Sequence, residues 1–217
     1  MSYTKYMTKV AGVLFFLAGT TLVIGILLAE ILYPARYSIS QNMISTLAAS
    51  PPPHSVIHQP SATVFDHAMS ISGMLLMSAS FVLFRLYRRS IFIISTFLLG
   101  MGTLGVGLFP AFHAHVHPLV ALTAFLFGGI AAITSFNMSR FPLSILSVFL
   151  GSVSLFFLFL GTILPHVVVP VFGAGGTERM VLYPLVLWLV GFGGYLMNSF
   201  TVLRLPKRER GNNPAKK

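Results

Sequence analysis

The chain has 217 residues, of which 55% are hydrophobic and only 8% are charged, and its mean hydropathy is +0.86. Soluble domains carry about 25% charged residues, so this composition excludes an ordinary soluble fold and indicates a protein embedded in lipid. The net charge of +10 would suit nucleic-acid binding, but the basic residues lie in short loops and a tail, where membrane topology explains them. We therefore expect no nucleic-acid partner.

Six apolar segments, each about 20 residues long, follow one another along the chain. About 20 residues of helix cross the hydrocarbon core of a bilayer, where backbone polar groups must be satisfied within each helix. The sequence therefore predicts an all-α, polytopic membrane protein, a six-transmembrane-helix bundle with a long first extracytoplasmic loop. The predicted spans are 10–32, 68–86, 90–111, 116–136, 141–164 and 180–203, which place residues 1–203 in one membrane domain.

Basic residues are distributed unequally between the two sides that these spans define. One side carries Lys5, Lys9, Arg85, Arg88, Arg89, Arg140, Arg204, Lys207, Arg208, Arg210, Lys216 and Lys217. Only Arg36 and Arg179 fall on the other side. Cytoplasmic loops are rich in Lys and Arg, so the pattern predicts a multi-pass protein of the cell membrane with both termini in the cytoplasm. Residues 204–217 are predicted to form a basic, disordered cytoplasmic tail.

The first outer loop, residues 33–67, is the longest connection and contains three consecutive prolines, Pro51 to Pro53. A long loop inside a compact domain is typical of a lid or a binding segment. Its first part, residues 37–47, alternates polar and apolar residues. We expect this part to form a short helix that folds back onto the bundle.

All seven histidines fall on the predicted outer side, and His113, His115 and His117 lie close together in the sequence. Imidazole binds zinc and related metals, and residues i and i+4 share one face of a helix. A metal site formed by His113, His117 and His67, with zinc as the metal, is therefore one interpretation. The alternative is that these histidines are interfacial or cap helices without any ligand.

Two pairs of ionisable residues precede predicted spans, Asp66-His67 and Glu178-Arg179. Asp66 favours a helix cap, but Asp66, His67, His113 and Glu178 are also the candidate catalytic residues, as general acids or bases on the outer face. Glu178 and Arg179 are adjacent and do not face each other on a helix. The available ion pairs are therefore Glu30 with Arg179 and Glu178 with Arg36.

Arg36 and Arg179 suggest a second use, because arginines together with glycine-loop amides can bind a phosphate group. We predict one outward-facing polar pocket, in which the ligand-binding residues are Arg36, Asn42, Ser45 and Arg179. The other residues expected to converge there are His67, His113 or His117, and Glu178. An anionic lipid headgroup of the surrounding bilayer is the ligand that this set favours.

Three segments together resemble a known family. They are Tyr37-Ser38-Ile39-Ser40-Gln41-Asn42-Met43-Ile44-Ser45-Thr46-Leu47, Gly107-Leu108-Phe109-Pro110, and Gly176-Thr177-Glu178-Arg179 followed by Trp188. This pattern is similar to the domain of unknown function 998 family of prokaryotic polytopic membrane proteins. In that family the first motif commonly ends in Ser-Glu/Asp-Leu-Gly, whereas here Thr46 and Ala48 replace the acid and the glycine. The resemblance implies six helical spans and carries no activity.

The sequence leaves three classes of function open. An accessory or structural subunit of a membrane assembly, with partner subunits, is favoured because no catalytic signature is strong. A lipid-binding protein or a lipid-directed enzyme, such as a metal-dependent hydrolase, is the first alternative, and a transporter is the second. Whether the protein is an enzyme stays open.

Overall fold

A computed structural model describes residues 3–87 and 90–198 of the chain. Six α-helices account for most of these residues: α1 Tyr3–Ile31, α2 Ser61–Leu86, α3 Ile91–Leu108, α4 Val116–Thr134, α5 Leu143–Ile163 and α6 Pro165–Met197. Each of the six is long and apolar enough to cross a membrane. The predicted six-helix membrane bundle is confirmed. The predicted tail, residues 204–217, lies outside the described residues.

The helices form a closed ring in chain order. Each helix packs against its neighbours in sequence, and α1 packs against α6 to close the ring. The short turns between α2 and α3 and between α4 and α5 lie at one end, which we call the short-turn end. The other end carries the long connection between α1 and α2, and we call it the long-loop end. Large apolar side chains such as Leu17, Phe97 and Phe149 face outward, as a lipid-embedded bundle requires.

Several helices extend beyond the predicted spans, because a helix can continue past the apolar segment that crosses the hydrocarbon. α1 begins at Tyr3, and α2 begins at Ser61 rather than at residue 68. The largest difference is in α6, because the sequence predicts a loop over residues 165–179. They are helical, apart from a break at Gly173, whose φ of 76° suits glycine because it lacks a Cβ atom.

The loop between α1 and α2 folds back onto the long-loop end. Its only regular helix is a short 3-10 helix, Ile44–Leu47, which is shorter than the expected helix over residues 37–47. The second part of the loop forms a hairpin, in which the N–H of Ser50 donates to the Val56 carbonyl and that of His58 to the Ala48 carbonyl. The Ser61 hydroxyl donates to the Leu47 carbonyl at 2.7 Å and fixes the loop to the start of α2.

Aromatic side chains fill the short-turn half of the bundle. Phe15, Phe92, Trp188 and Phe192 are all buried, and the ring centre of Phe15 lies 5.4 Å from that of Phe192 and 6.0 Å from that of Trp188. The indole N–H of Trp188 donates to the hydroxyl of Ser135 at 3.0 Å. This half is therefore densely packed, and the one indole donor has an acceptor.

Candidate functional site

A cavity lies inside the long-loop half of the bundle, between α1, α2, α3, α4 and α6. Its volume is about 50 Å³. A water molecule needs roughly 10–15 Å³ of such volume, so the cavity has room for a few waters or for one narrow apolar segment. Most of the wall is apolar, and its polar residues are Ser45, Thr103, His117 and Glu178.

The 3-10 helix of the loop forms the roof of this cavity. Ile44 and Ser45 line the cavity from above and are both buried. The carboxylate of Glu178, on α6, accepts hydrogen bonds from the backbone N–H groups of Ile44 and Ser45. Glu178 therefore holds the roof to α6 and at the same time lines the cavity.

Arg179 fastens the first part of the loop to the bundle. Its Nη2 donates to Glu30 Oε1 at 2.6 Å and to the Tyr37 hydroxyl at 2.9 Å. Its Nη1 donates to the carbonyls of Ile39 at 2.8 Å and Asn42 at 3.0 Å, and also to that of Gly175 on its own helix. The side chain is only 5% exposed. Of the two ion pairs that the sequence allowed, Glu30–Arg179 is the one that forms.

Tyr37 belongs to the group of residues in contact with Arg179 (Glu30, Tyr37, Ile39 and Asn42), which we call the clamp. Its hydroxyl receives the Arg179 hydrogen bond and donates to the Met43 carbonyl at 3.0 Å. Burial raises the pKa of Tyr37 to about 12, although the hydrogen bond and the charge of Arg179 act in the opposite direction. Tyr37 therefore stays neutral at physiological pH and keeps its proton for the Met43 carbonyl.

Glycines allow the loop to lie directly on α6. The N–H of Gly176 donates to the Ser40 carbonyl at 3.0 Å. A Cβ atom at Gly173 would lie 2.0 Å from that carbonyl oxygen, and one at Gly175 would lie 2.1 Å from the Asn42 oxygen. Any larger residue at these positions would push the loop away from the bundle.

His117 and Thr103 are the polar residues deeper in the cavity wall. His117 is 9% exposed, and its Nδ1 lies 2.8 Å from the Phe109 carbonyl oxygen. Because a carbonyl only accepts, Nδ1 carries the proton, and Nε2 of the neutral ring is an acceptor. The Thr103 hydroxyl donates to the Leu99 carbonyl at 2.8 Å, which leaves its oxygen lone pairs as acceptors.

The structure brings together part of the predicted pocket. Ser45 and Glu178 border the cavity with His117, and Asn42 and Arg179 lie in the clamp beside it. Arg36 is exposed and takes no part in either group. Nδ1 of the exposed His67 is hydrogen-bonded to the Thr63 carbonyl on its own helix, and the tilted ring of His113 packs against that of Phe112. The roles of all these residues as catalytic or ligand-binding groups stay predictions.

Within the described residues, no three His, Asp or Glu side chains are placed to hold one metal ion. His113 precedes α4, which begins at Val116, and the N–H of His117 donates to the His113 carbonyl at 3.0 Å, so the two residues lie one turn apart. Asp66 lies within α2 rather than at its cap, and its Oδ1 is buried without a hydrogen-bond partner among the described residues. The zinc site stays a prediction without a preformed ligand cluster.

Three features of the site were not found from the sequence. Tyr37 lies inside a family motif, but nothing in the sequence indicates that it contacts Arg179. Thr103 is one of several small residues in an apolar span, and nothing in the sequence indicates that it lines a cavity. The Ser50 hydroxyl lies 2.8 Å from Nε2 of His58, across the hairpin. Burial lowers the pKa of His58, whose ring also packs 4.7 Å from that of Tyr33. Only the three consecutive prolines, Pro51 to Pro53, point to a turn in this part of the sequence.

Of three comparisons with known proteins, one gave a match. A family model described as "Protein of unknown function (DUF998)" matches residues 10–195 of the chain, which is well over half of its length. A search of curated proteins and a search of solved structures each returned no match.

Proposed function

The chain belongs to the family described as Protein of unknown function (DUF998), and since that description assigns no activity, we propose a function from the geometry of this chain. It is a multi-pass integral membrane protein whose six long helices form a bundle. Its proposed function is to bind an amphipathic molecule, whose apolar chain enters the cavity under the loop.

The observation that carries this proposal is the combination of an apolar cavity with a few polar groups near its roof. Ligand sites commonly have an apolar lining with a few polar groups that orient the ligand. This cavity has such a lining, and its volume of about 50 Å³ leaves room for a narrow apolar chain rather than for a bulky ligand. The cavity also lies in the half of the bundle that the loop covers, so movement of the loop would give access to it.

The test uses a long-chain alcohol with a photoreactive group on the chain, added to the purified protein in lipid nanodiscs. Ala121 lines the cavity, so Ala121→Phe should fill it, whereas Leu122 is 43% exposed and Leu122→Phe is the matched control. We expect cross-links to cavity-lining peptides in the wild type and the control, and at least a tenfold loss in Ala121→Phe. Equal labelling of both variants would contradict the proposal.

We also propose an orientation in which the long-loop end faces outward and both termini face the cytoplasm, in the cell membrane. Among the described residues, Lys5, Lys9, Arg85 and Arg140 lie at the short-turn end. At the long-loop end, Glu30 neutralises Arg179. Among the described residues, this leaves Arg36 as the exposed arginine at that end. A cytoplasm-active reporter after Lys217 and an export-active reporter at His54 should both be active, and the reverse pattern would end this orientation.

An accessory role in a membrane assembly is the second candidate, and it is supported by α5. Only 28% of the most apolar stretch of this helix is buried within the bundle, the lowest share among the six helices. Phe149 and Phe156 on this helix face outward. If a partner subunit covers this face, Phe149→Ala with Phe156→Ala should lower the amount of a stoichiometric cross-linked partner. Leu17→Ala with Ile24→Ala on α1 is the control and should retain it.

A further inference from the structure

A groove lies at the short-turn end of the bundle, at the turn between α4 and α5 and away from the cavity. It has a volume of about 600 Å³ and is lined by Phe136, Asn137, Ser139, Arg140, Phe141 and Ser144. We infer that this groove binds the phosphate group of an anionic phospholipid, with Arg140 as the principal donor. The inference goes beyond the proposed function and does not depend on the cavity.

Arg140 carries a positive charge that no carboxylate of the described chain compensates. The acidic residues among the described residues are Glu30, Asp66 and Glu178, and all three belong to the long-loop end. The exposed Arg140 guanidinium makes no ion pair or hydrogen bond with any described residue. A guanidinium can donate two parallel hydrogen bonds to a phosphate, so its unused donors fit this ligand.

The start of α5 adds donors to the same groove. The helix begins at Leu143, directly after Pro142, and no side chain caps its first turn. The first N–H groups of a helix have no partner within the helix, and they favour an anion. Ser144, in this first turn, lines the groove and is only 7% exposed, yet its hydroxyl bonds to no described residue. A buried hydroxyl without a partner is unfavourable, and a phosphate oxygen would accept its proton in a hydrogen bond.

The rim of the groove indicates a lipid rather than a soluble phosphate. Phe136 is 48% exposed and Phe141 is 78% exposed, so two apolar rings border the site of Arg140. The groove lies where α4 ends and α5 begins, which is the level at which helices leave the hydrocarbon core and meet the lipid headgroups. Acyl chains can therefore pack on the rings while Arg140 holds the phosphate.

The charges at this end favour an anionic lipid over a zwitterionic one. A zwitterionic headgroup adds an ammonium group, and the described residues at the short-turn end offer no carboxylate to bind it. Lys5, Lys9 and Arg85 belong to the same end and would repel that ammonium group. An anionic headgroup meets no such repulsion.

Arg140 is also better placed for a phosphate than the arginine that the sequence suggested at the other end. Nη2 of Arg179 already donates to Glu30 and to Tyr37. A phosphate at Arg179 would have to replace these partners, whereas Arg140 has none to lose among the described residues.

The experiment measures lipid binding to the purified protein in detergent by native mass spectrometry. Phosphatidylglycerol is the anionic probe, and phosphatidylcholine with the same acyl chains is the zwitterionic one. We expect the first phosphatidylglycerol to bind with a Kd about tenfold lower than that of phosphatidylcholine, the scale of one charge-assisted hydrogen bond. Glycerol phosphate, which has the phosphate without acyl chains, should not displace the lipid even in large excess.

Two variants locate the site, and each has a matched control. Arg140→Gln should raise the Kd for phosphatidylglycerol about tenfold, whereas Arg85→Gln removes an exposed arginine of the same end outside the groove and should not. Ser144→Ala should raise the Kd about threefold. Ser154→Ala removes another buried hydroxyl of α5 that has no described partner, and it should leave the Kd unchanged.

A cross-linking measurement on the wild type does not depend on any variant. A photoreactive phosphatidylglycerol in nanodiscs should label residues 136–144, and absence of that label would overturn the inference. Equal Kd values for the two lipids, or equal losses in Arg140→Gln and Arg85→Gln, would also overturn it. Displacement by glycerol phosphate would show a site for soluble phosphate esters and overturn the lipid as its ligand. Melting temperatures show whether each variant is folded.

Discussion

The two halves of the bundle are built differently, although the same helices run through both. The short-turn half is filled by interlocking aromatic rings, and its buried Trp188 N–H has an acceptor in Ser135. The long-loop half contains a cavity and holds its cover by hydrogen bonds, with Arg179 as the central donor. Dense packing specifies one rigid arrangement, whereas a cover attached by a few polar contacts can detach while the helices stay in place. We infer that the short-turn half stabilises the fold, whereas the loop that covers the long-loop half can move while the helices stay in place.

The strongest test of this division is Arg179→Met. The change leaves the carboxylate of Glu30, only 15% exposed, without its partner and removes the donor to the carbonyls of Ile39 and Asn42, so we expect a loss of about 3–5 kcal/mol. Denaturant titration in micelles measures the free energy of unfolding, and hydrogen exchange should show the largest increase in residues 37–47. Arg36→Met removes an exposed arginine and should lie near the wild type. Similar losses in both variants would show that the clamp does not hold the loop.

Phe15→Ala tests the other half. The change opens a space among the rings of Phe92, Trp188 and Phe192. Because lipid is as apolar as the protein interior, only the lost packing counts, and we expect a loss of roughly 2 kcal/mol. Hydrogen exchange should increase throughout the bundle rather than in the loop alone. Phe156→Ala, at a side chain 59% exposed to lipid, is the control, and an equal loss there would mean that the aromatic cluster has no special weight.

Gly175→Ala sharpens the comparison at the contact between loop and helix. The new Cβ atom would lie 2.1 Å from the Asn42 carbonyl oxygen, so the loop must shift, at a cost of about 1–3 kcal/mol. Limited proteolysis should cut the loop faster while the melting temperature falls only slightly. Gly194 has open space around it, and Gly194→Ala should leave both measurements unchanged. Faster cleavage in both variants would point to a general loosening instead.

The sequence predicts the membrane spans better than it predicts the contacts that hold the loop on the bundle, for physical reasons. A membrane span is a local property, because some 20 apolar residues are enough to cross the bilayer, and all six spans were found. The clamp joins residues that lie about 140 positions apart, such as Arg179 and Ile39, and no local pattern contains that contact. The Glu30–Arg179 pair could be proposed only because so few charges lie at that end.

The histidines show how local reasoning depends on where a helix starts. The i, i+4 spacing predicts His113 and His117 on one helix face; α4 begins at Val116, and the N–H of His117 donates to the carbonyl of His113 one turn before it. His117 lies in the cavity wall while the ring of His113 packs against that of Phe112, and a shared metal stays a prediction. The site residues depend on where a helix starts, and a shift of a few residues changes which side chains meet.

The smallest expected effect concerns the hairpin of the loop and its dependence on pH. Burial lowers the pKa of His58 below its ordinary 6.5, so the closed hairpin prefers the neutral ring. When the pH falls below 6.5, the open hairpin takes up the proton first, and opening becomes easier until the closed form is protonated too. Above about pH 7.5 we expect no change, because both forms are then neutral. Hydrogen exchange of residues 48–58, corrected for the intrinsic rate, should therefore rise between pH 7.5 and pH 5.5. The Ser50 hydroxyl can turn to accept from a protonated ring, so the increase should be modest.

His58→Gln should remove the pH dependence, and His54→Gln, at an exposed position, should preserve it. If the His58→Gln hairpin still opens at low pH, the response comes from another group, and the hairpin closes independently of His58.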